Sequence, residues 1–483
     1  MKERDISKEK AAKSGSREDF DQYKSKRNEV SKMQKSAKAE YYDKKFESES
    51  SSKTVWKTTY ELLGNHRTSF PSQIMHSGKL ISNPKEIATE VNEFFIQKIR
   101  KLKDDFETSD DDEPLVELKS FLSKKNIPSE GFNLKELNNV EVKKLLKNLK
   151  GKKSLGLDWI CGYSLKISSS ILCEELGALI NISIRKGKFA DKWKCAKVLP
   201  AWKNKGTRFE LKYYRPLSNL SEVSKLAERA VYDQMFQYLS TNNLIHQNHH
   251  GFLKNSSTSS ALQHLFDIWL QHIEKGKLSA ALFLDLSAGF DVIDHKILLL
   301  KMKEYNFSEN TLNWFNSYLL DRTQCVQIES SFSPMMSVPW GVPQGSILGP
   351  LLFLLFINEL PDVLSDAPDA ADNDIVVYAD GNTPTTADKD PIVLQTKVQT
   401  EADMVTNWFK RNEMICSSDK TKLLVIGTYA NRLHKLTNHD LNLKVTVCGE
   451  EKVESTSEKL LSIVVNNTAT FRNHFYGDDE NIG

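Results

Sequence analysis

Residues 281–285 read Ala-Leu-Phe-Leu-Asp, and residues 375–380 read Ile-Val-Val-Tyr-Ala-Asp. Each is a short apolar run that ends in a carboxylate, Asp285 in the first and Asp380 in the second. Such runs are typical of buried strands. A carboxylate at the end of a buried strand is costly unless a metal ion or a basic group holds it. Two such strands side by side would bring both acidic groups to one end of a sheet.

This pair of carboxylates suits Mg²⁺, which binds through a few carboxylates and completes its shell with substrate phosphates. Two metal ions about 3.5–4 Å apart could activate a 3′-hydroxyl and stabilise a leaving pyrophosphate. Taken alone, either aspartate fits an ordinary strand end or turn better than a metal ligand, so that alternative stays open.

A glycine-rich turn lies between the two runs. Residues 341–346 read Gly-Val-Pro-Gln-Gly-Ser, and an apolar helical stretch follows. Glycines on both sides of a proline predict a turn whose backbone can be approached closely. A base pair or a sugar could pack there, with Gln344 as a polar contact. As a single motif, the segment fits an ordinary loop before a core helix better.

The composition limits the class of protein. The 483 residues suggest about two to four domains, and the net charge of +2 means that any nucleic-acid surface must come from local basic clusters. Six scattered cysteines without a CxxC pair argue against a zinc module and a disulfide scaffold, and predict an intracellular protein, nuclear or cytoplasmic. The N-terminus is charged, and the longest apolar run, residues 347–357, is far shorter than the ~20 residues of a membrane span. We expect no signal peptide and no membrane partner, and the sequence indicates no obligate protein partner.

Residues 1–134 are expected to form a charged, mostly helical N-terminal extension or linker. Within it, Asn83 and Glu86 form a capping-box pattern that predicts a helix start. The acidic stretch 104–113 lacks apolar periodicity and predicts an exposed linker. An amphipathic helix is predicted at residues 140–149, with lysines at its end that would stabilise its C-terminus or bind a nucleic-acid backbone.

Several motifs follow one another along the chain. They are 153–158 (Lys-Ser-Leu-Gly-Leu-Asp), 193–198 (Trp-Lys-Cys-Ala-Lys-Val), 214–218 (Tyr-Arg-Pro-Leu-Ser), 250–252 (His-Gly-Phe), 257–258 (Ser-Thr), 283–287 (Phe-Leu-Asp-Leu-Ser), 290–291 (Phe-Asp), 341–346, 378–380 (Tyr-Ala-Asp), 408–410 (Trp-Phe-Lys) and 420–422 (Lys-Thr-Lys). In order and spacing, these motifs resemble the reverse transcriptase of non-LTR, LINE-type, jockey-like retrotransposons. The resemblance runs from about residue 135 to about residue 427, and no single motif carries it.

The resemblance implies an α+β fold, the right-hand polymerase fold of reverse transcriptases, with a helical N-terminal extension and a truncated thumb. Residues 135–430 would form the fingers and palm, and residues 431–483 a partial thumb or connection remnant. It also implies an RNA-directed DNA polymerase whose partners are an RNA template, a DNA primer and dNTPs. The endonuclease domain of complete elements is not expected here.

The resemblance also implies roles for single residues. Asp285 and Asp380 would be catalytic and bind two Mg²⁺ ions, with Mn²⁺ as an alternative. Phe290 would be the steric gate that leaves no room for a 2′-hydroxyl. Gln344 and Gly345 would line the pocket for template and nucleotide.

Basic residues would complete that site. Arg215, with Lys203 or Lys205, would neutralise the triphosphate, because basic groups offset the charge that develops there. Lys420 would protonate the leaving pyrophosphate or only balance charge. Each of the three lysines also fits an ordinary solvated side chain.

Several positions depart from the family pattern. Where the family has a second aspartate after Tyr-Ala-Asp, this chain has Gly381. Gly381 suits a tight hairpin turn, so we expect the fold to survive, but the lost carboxylate should weaken metal binding and slow catalysis. Pro384 falls where the return strand should run, and proline cannot donate a hydrogen bond to a sheet. Leu253 and residues 288–289 depart as well.

These departures leave alternatives open. The first is an active polymerase of a mobile element. The second is a catalytically dead nucleic-acid-binding remnant with the same fold. A maturase-like splicing factor related to group II introns is less favoured, because the upstream segment resembles LINE-type reading frames and no maturase domain is expected downstream.

Overall fold

The computed structural model forms two compact units, Met1–Pro71 and Ser72–Gly483. No helix in the described part of the chain has both the length and the apolar character to cross a membrane. The residues that the structure describes are 2–48, 52–62, 70–76, 78–104, 113–151, 155–367, 372–433, 442–461 and 463–468.

In its described residues, the first unit consists mainly of helices, in agreement with its charged and polar sequence. The side chain of Ser16 accepts a hydrogen bond from the backbone N–H of Glu18 and so caps the second helix. No residue of that helix, which the structure describes in full, is buried. The helices are α1 (Lys2–Ser14), α2 (Arg17–Glu47) and α3 (Ser52–Leu62).

The second unit combines helices with two larger sheets and two isolated hairpins. Its helices are α4 (Pro84–Asp104), α5 (Val116–Ser123), α6 (Asn139–Lys147), α7 (Gly162–Ile167), α8 (Cys173–Arg185), α9 (Glu222–Thr241), α10 (Thr258–Glu274), α11 (His295–Glu304), α12 (Glu309–Leu319), α13 (Gly349–Phe356), α14 (Pro391–Arg411) and α15 (Tyr429–Arg432). Its strands are β1 (Ile74–His76), β2 (Lys79–Ile81), β3 (Cys195–Trp202), β4 (Tyr214–Asn219), β5 (Leu278–Asp285), β6 (Thr323–Ile328), β7 (Ser331–Phe332), β8 (Met336–Ser337), β9 (Asp374–Tyr378), β10 (Gly381–Asp388), β11 (Lys422–Ile426), β12 (Lys444–Val447), β13 (Glu450–Ser455), β14 (Ser457–Leu460) and β15 (Ile463–Asn466).

The larger sheet contains both apolar runs. Its order is β12-β13-β11-β5-β10-β9, and β5 pairs antiparallel with β10 and with β11. Successive side chains of a strand point to opposite faces. Leu282 and Leu284 of β5 therefore face the main core, whereas Ala281 packs with Trp269 of α10 and Val465 of β15. Because both faces are covered, charged groups reach solvent mainly at the strand ends.

The return strand β10 lies between β5 and β9, so the expectation that the two apolar strands lie side by side is wrong. The turn after Tyr378 folds the chain back into that gap, and Gly381 pairs with Asp285. Pro384 lies within β10. Thr383 and Pro384 drop out of the pairing with β5, while the pairing with β9 continues. The missing N–H of proline thus weakens one side of the strand without ending it.

A smaller sheet has the order β4-β3-β6-β7, with β8 also paired to β6. Helix α4 packs against β6 and β7, and the side-chain oxygen of Asn83 caps it by accepting from the backbone N–H of Lys85. α4 therefore belongs to the packed body of the second unit, although it falls in the predicted extension. Likewise, β12 and β13 extend the larger sheet from the predicted thumb remnant. The proposed boundaries at residues 134 and 430 stay predictions.

Candidate active site

Asp285 and Asp380 line one cleft of about 340 Å³. Asp285 ends β5, and Asp380 lies in the turn between β9 and β10. The backbone N–H of Leu286 donates to the carbonyl oxygen of Asp380 at 3.2 Å and ties the two strand ends together. Gly251 supports the turn from behind, where an added Cβ would lie only 2.4 Å from the nitrogen of Ala379. The structure thus brings the two predicted carboxylates into one site, which we call the carboxylate cleft; Lys420 also lines it.

The charges in the carboxylate cleft act on one another. Burial, and then the charge of Asp285, raise the pKa of Asp380, although this side chain still reaches solvent at the mouth of the cleft. Lys420 Nζ donates to Asp285 Oδ1 at 2.8 Å. The backbone N–H of Ser417 donates to the Asp285 carbonyl oxygen at 2.8 Å, which fixes the turn that carries Lys420 beside the strand end. Lys420 therefore offsets part of the negative charge.

Gly381 does not provide the left-handed residue of the hairpin. That conformation belongs to Ala379, with a φ of +56°. Gly381 is the first residue of β10, and a Cβ added there would lie 3.4 Å from the carbonyl oxygen of Tyr378, an ordinary contact. The expected turn role of Gly381 is therefore wrong. An aspartate at this position is compatible with the backbone.

The carboxylate cleft fits a divalent cation that binds together with a substrate. Within the described ranges, no group of three or more His, Cys, Asp or Glu side chains is placed to hold a metal ion. Two carboxylates are, however, the hard oxygen donors that Mg²⁺ prefers, with water and phosphate completing its shell. Burial and then the charge of Asp285 raise the pKa of Asp380, and a bound cation would relieve the repulsion between the two carboxylates.

The 341–346 loop is fixed by contacts on both sides. Gln344 Nε2 donates to Asp291 Oδ2 at 2.7 Å, and the backbone N–H of Ser218 in β4 donates to the Gln344 carbonyl oxygen at 2.8 Å. Gly345 has a φ of +119°, and a Cβ there would lie 2.4 Å from the carbonyl oxygen of Ser218. Only glycine fits this close approach. Burial raises the pKa of Asp291 to about 6.

Phe290 is half-buried and packs in an aromatic group. Its ring stacks on Phe353 with centroids 4.7 Å apart, and Phe252 meets it edge-on at 5.6 Å. The backbone carbonyl of Phe290 accepts from the N–H of Val342 at 2.8 Å, so the ring lies next to the 341–346 loop. Its role as a steric gate stays a prediction.

The predicted basic residues lie close enough to influence one another. The pKa of Lys203 is lowered to about 8 by burial first, and then by the positive charges of Lys98, Arg215, Lys205 and Lys420. We refer to Lys98, Lys203, Lys205, Arg215 and Lys420 as the basic cluster. Through Lys420, the basic cluster borders the carboxylate cleft.

Sequence reasoning missed two residues of this region. The Phe-Asp motif at residues 290–291 contains Asp291 but does not indicate its role; in the structure its carboxylate accepts from Gln344 and positions that side chain. Lys98 lies on α4, in a segment interpreted as an extension. The helical pattern shows which face of α4 is apolar, but it does not show what that helix packs against.

Comparisons with known proteins agree with this geometry. Residues 202–461 match the family model described as "Reverse transcriptase (RNA-dependent DNA polymerase)". The RNA-directed DNA polymerase from mobile element jockey of Drosophila melanogaster is 25% identical over 336 residues, which cover 69% of this chain and 36% of that protein. The probable RNA-directed DNA polymerase from transposon BS of the same species is 32% identical over 221 residues, 46% of this chain and 24% of that protein.

The chain thus spans about a quarter to a third of the length of these relatives. Its mixed helices and sheets agree with the predicted α+β class. The family match covers more than half of the 483 residues, and the resemblance drawn from the ordered motifs is confirmed. This chain belongs to the reverse transcriptase family, with proteins of jockey-like retrotransposons among its relatives.

Proposed function

We propose that this chain is the polymerase part of a mobile element and adds dNTPs to a primer 3′-hydroxyl on an RNA template. The observation that supports this most is the meeting of Asp285 and Asp380 in one cleft beside the basic cluster. Carboxylates on one side and cations on the other match the two needs of nucleotidyl transfer, a held metal ion and a neutralised triphosphate.

Each group in the site has a distinct task in this proposal. Asp285 and Asp380 would hold Mg²⁺, two ions when substrate is present, with Mn²⁺ as an alternative. The bound metal would activate the primer hydroxyl and stabilise the leaving pyrophosphate. Arg215, Lys203 and Lys205 neutralise the triphosphate.

Residues outside the charged groups position the substrates. Gln344 and Gly345 present a fixed backbone surface to the template–nucleotide pair, and Phe290 excludes the 2′-hydroxyl. Lys420 already donates to Asp285, which favours charge balance over proton transfer to pyrophosphate as its task.

A second function has support from one position. Gly381 leaves the cleft with one carboxylate fewer than the family pattern, so the chain could bind template and primer without extending them. The fold and the basic cluster would serve such a nucleic-acid-binding remnant equally well.

Primer extension separates the two functions. The full chain is assayed on a poly(rA) template with an oligo(dT) primer, dTTP and Mg²⁺, beside the Asp285→Asn variant, and duplex binding is measured in parallel. We expect weak, metal-dependent extension by the unaltered chain and none by the variant. Binding without any extension, even with Mn²⁺ or after Gly381→Asp, would support the remnant. Absence of both binding and extension would contradict both functions.

A further inference from the structure

Helix α4 is anchored firmly to the smaller sheet. Asn92 is fully buried and its Nδ2 donates to Ser333 Oγ at 3.0 Å and to the carbonyl oxygen of Pro334 at 3.1 Å. Gln324 Nε2 of β6 donates in turn to Asn92 Oδ1 at 2.9 Å. Apolar side chains on the same face, Phe95 among them, are buried as well. The position of this helix is therefore set by a satisfied polar contact inside an apolar interface.

Lys98 lies one to two turns further along α4 and lines a cavity of about 80 Å³. Asp291 and Gln344 line the same cavity, as do Tyr214 and Pro216 of β4. The latter two residues flank Arg215 in the chain. Among the residues that the structure describes, Lys98 makes no hydrogen bond and no ion pair, so its ammonium is available for a ligand.

The charges that act on Lys98 are of both signs, with Asp291 on one side and lysines on the other. Lys98 keeps exposed surface, yet burial of its ammonium lowers its pKa; the charge of Asp291 opposes this shift and the charge of Lys420 adds to it. Lys98 is also the charge that acts most on Lys203, ahead of Arg215. Cations that influence one another in this way repel, and a bound polyanion relieves that repulsion.

We propose that Lys98 binds the phosphate chain of the incoming nucleotide, so that α4 completes the nucleotide site from outside the segment matched by the family model. The inference rests on the proposed polymerase function. A triphosphate is favoured over a nucleic-acid backbone, because it concentrates several negative charges at one place. One member of the basic cluster, Lys420, lines the carboxylate cleft and donates to Asp285 there.

Equilibrium dialysis of dTTP with the full chain at pH 7 and in Mg²⁺ tests the assignment. Lys98→Met should weaken dTTP binding about tenfold, whereas Lys98→Arg, which keeps the charge, should stay within about threefold of the unaltered chain. Arg100→Met is the matched control: it removes one positive charge from an exposed position of the same helix. It should leave dTTP affinity unchanged. Lys98→Gln serves as the second variant if the Met variant melts early.

Two further arms identify the ligand. Inorganic tripolyphosphate should compete with dTTP for binding. Lys98→Met should lower the affinity for tripolyphosphate by the same factor as the affinity for dTTP. Template–primer duplex binding should change less than about twofold in Lys98→Met. A variant that loses duplex affinity but keeps dTTP affinity would assign Lys98 to the nucleic-acid backbone and overturn the proposal.

The proposal can fail separately from the polymerase function. If the unaltered chain binds dTTP and extends a primer while Lys98→Met behaves identically, only the role of Lys98 is overturned. If the unaltered chain neither binds dTTP nor extends a primer, both the polymerase function and the role of Lys98 are overturned.

Discussion

The two sides of the site carry opposite charges and are built on different kinds of element. The acidic side consists of short aspartate side chains at strand ends of the larger sheet, whose two faces are both buried. The basic side consists of long lysine and arginine side chains from the β3–β4 region, from α4 and from the turn after α14. A short side chain on a buried strand can reach only one place, whereas several long ones can share one phosphate chain. Loss of a carboxylate should therefore cost far more than loss of one cation.

Asp285→Asn should have the largest effect, because among the described residues only Asp380 is left as a carboxylate lining the cleft. We expect primer extension to fall by about 10³-fold or more, equivalent to about 4 kcal/mol of barrier. Template–primer binding should stay nearly intact, since the basic side is unchanged. Asp267→Asn, at an exposed position of α10, is the control and should leave extension unchanged. An unaltered rate in Asp285→Asn would remove this residue from the metal site.

Gly381→Asp tests the acidic side by adding a carboxylate. The added side chain fits, because a Cβ at this position meets only the carbonyl oxygen of Tyr378, at 3.4 Å. We expect extension in Mg²⁺ to rise about tenfold or more, equivalent to about 1.4 kcal/mol of barrier. Gly381→Ala adds the same Cβ without a carboxylate and should give no gain. Vigorous extension by the unaltered chain, with no change on adding the aspartate, would show that this position does not limit activity.

Phe290 belongs to neither charged side, and its substitution should have an intermediate effect. Phe290→Val should reduce the preference for dTTP over UTP about fivefold, because a smaller side chain leaves room for a 2′-hydroxyl. The control is Phe353→Leu, which disturbs the same stacked pair from the core side. That variant should lower the melting temperature but keep the sugar preference. Equal sugar preference in Phe290→Val and the unaltered chain would refute the gate.

The acidic side was predictable from the sequence, and the reason is local. The apolar runs before Asp285 and Asp380 form β5 and β9, and the Asn83 cap begins α4 where predicted. Patterns of this kind depend on neighbours in the chain.

The pairing of strands and the packing of helices depend on residues far apart in sequence. That is why the place of β10 between the apolar strands and the cavity that Lys98 shares with Gln344 were not predicted. Pro384 shows the same limit. The rule that proline interrupts a strand holds for the pairing of β10 with β5, but it fails for the pairing of β10 with β9, which continues through Pro384.

The smallest expected effect is on the basic side and concerns pH. The pKa of Lys203, lowered to about 8 by burial and by its cationic neighbours, means that Lys203 is charged below pH 8 and becomes neutral as the pH rises through that value. We expect kcat/KM for dTTP, which reports on the free enzyme, to fall only about threefold between pH 7 and pH 9, because Arg215 keeps its charge. Lys203→Arg should flatten this decline.

The unaltered chain and the Lys203→Arg variant are assayed with the same nucleotide and template. Ionisation of the substrates therefore cancels in the ratio of their kcat/KM values. Primer extension at fixed free Mg²⁺ and saturating duplex gives that ratio at each pH. Parallel profiles would show that Lys203 carries no titrating charge at the nucleotide. A decline far steeper than threefold would mean that the cations do not share the phosphate chain, and the contrast between a sensitive acidic side and a tolerant basic side would not hold.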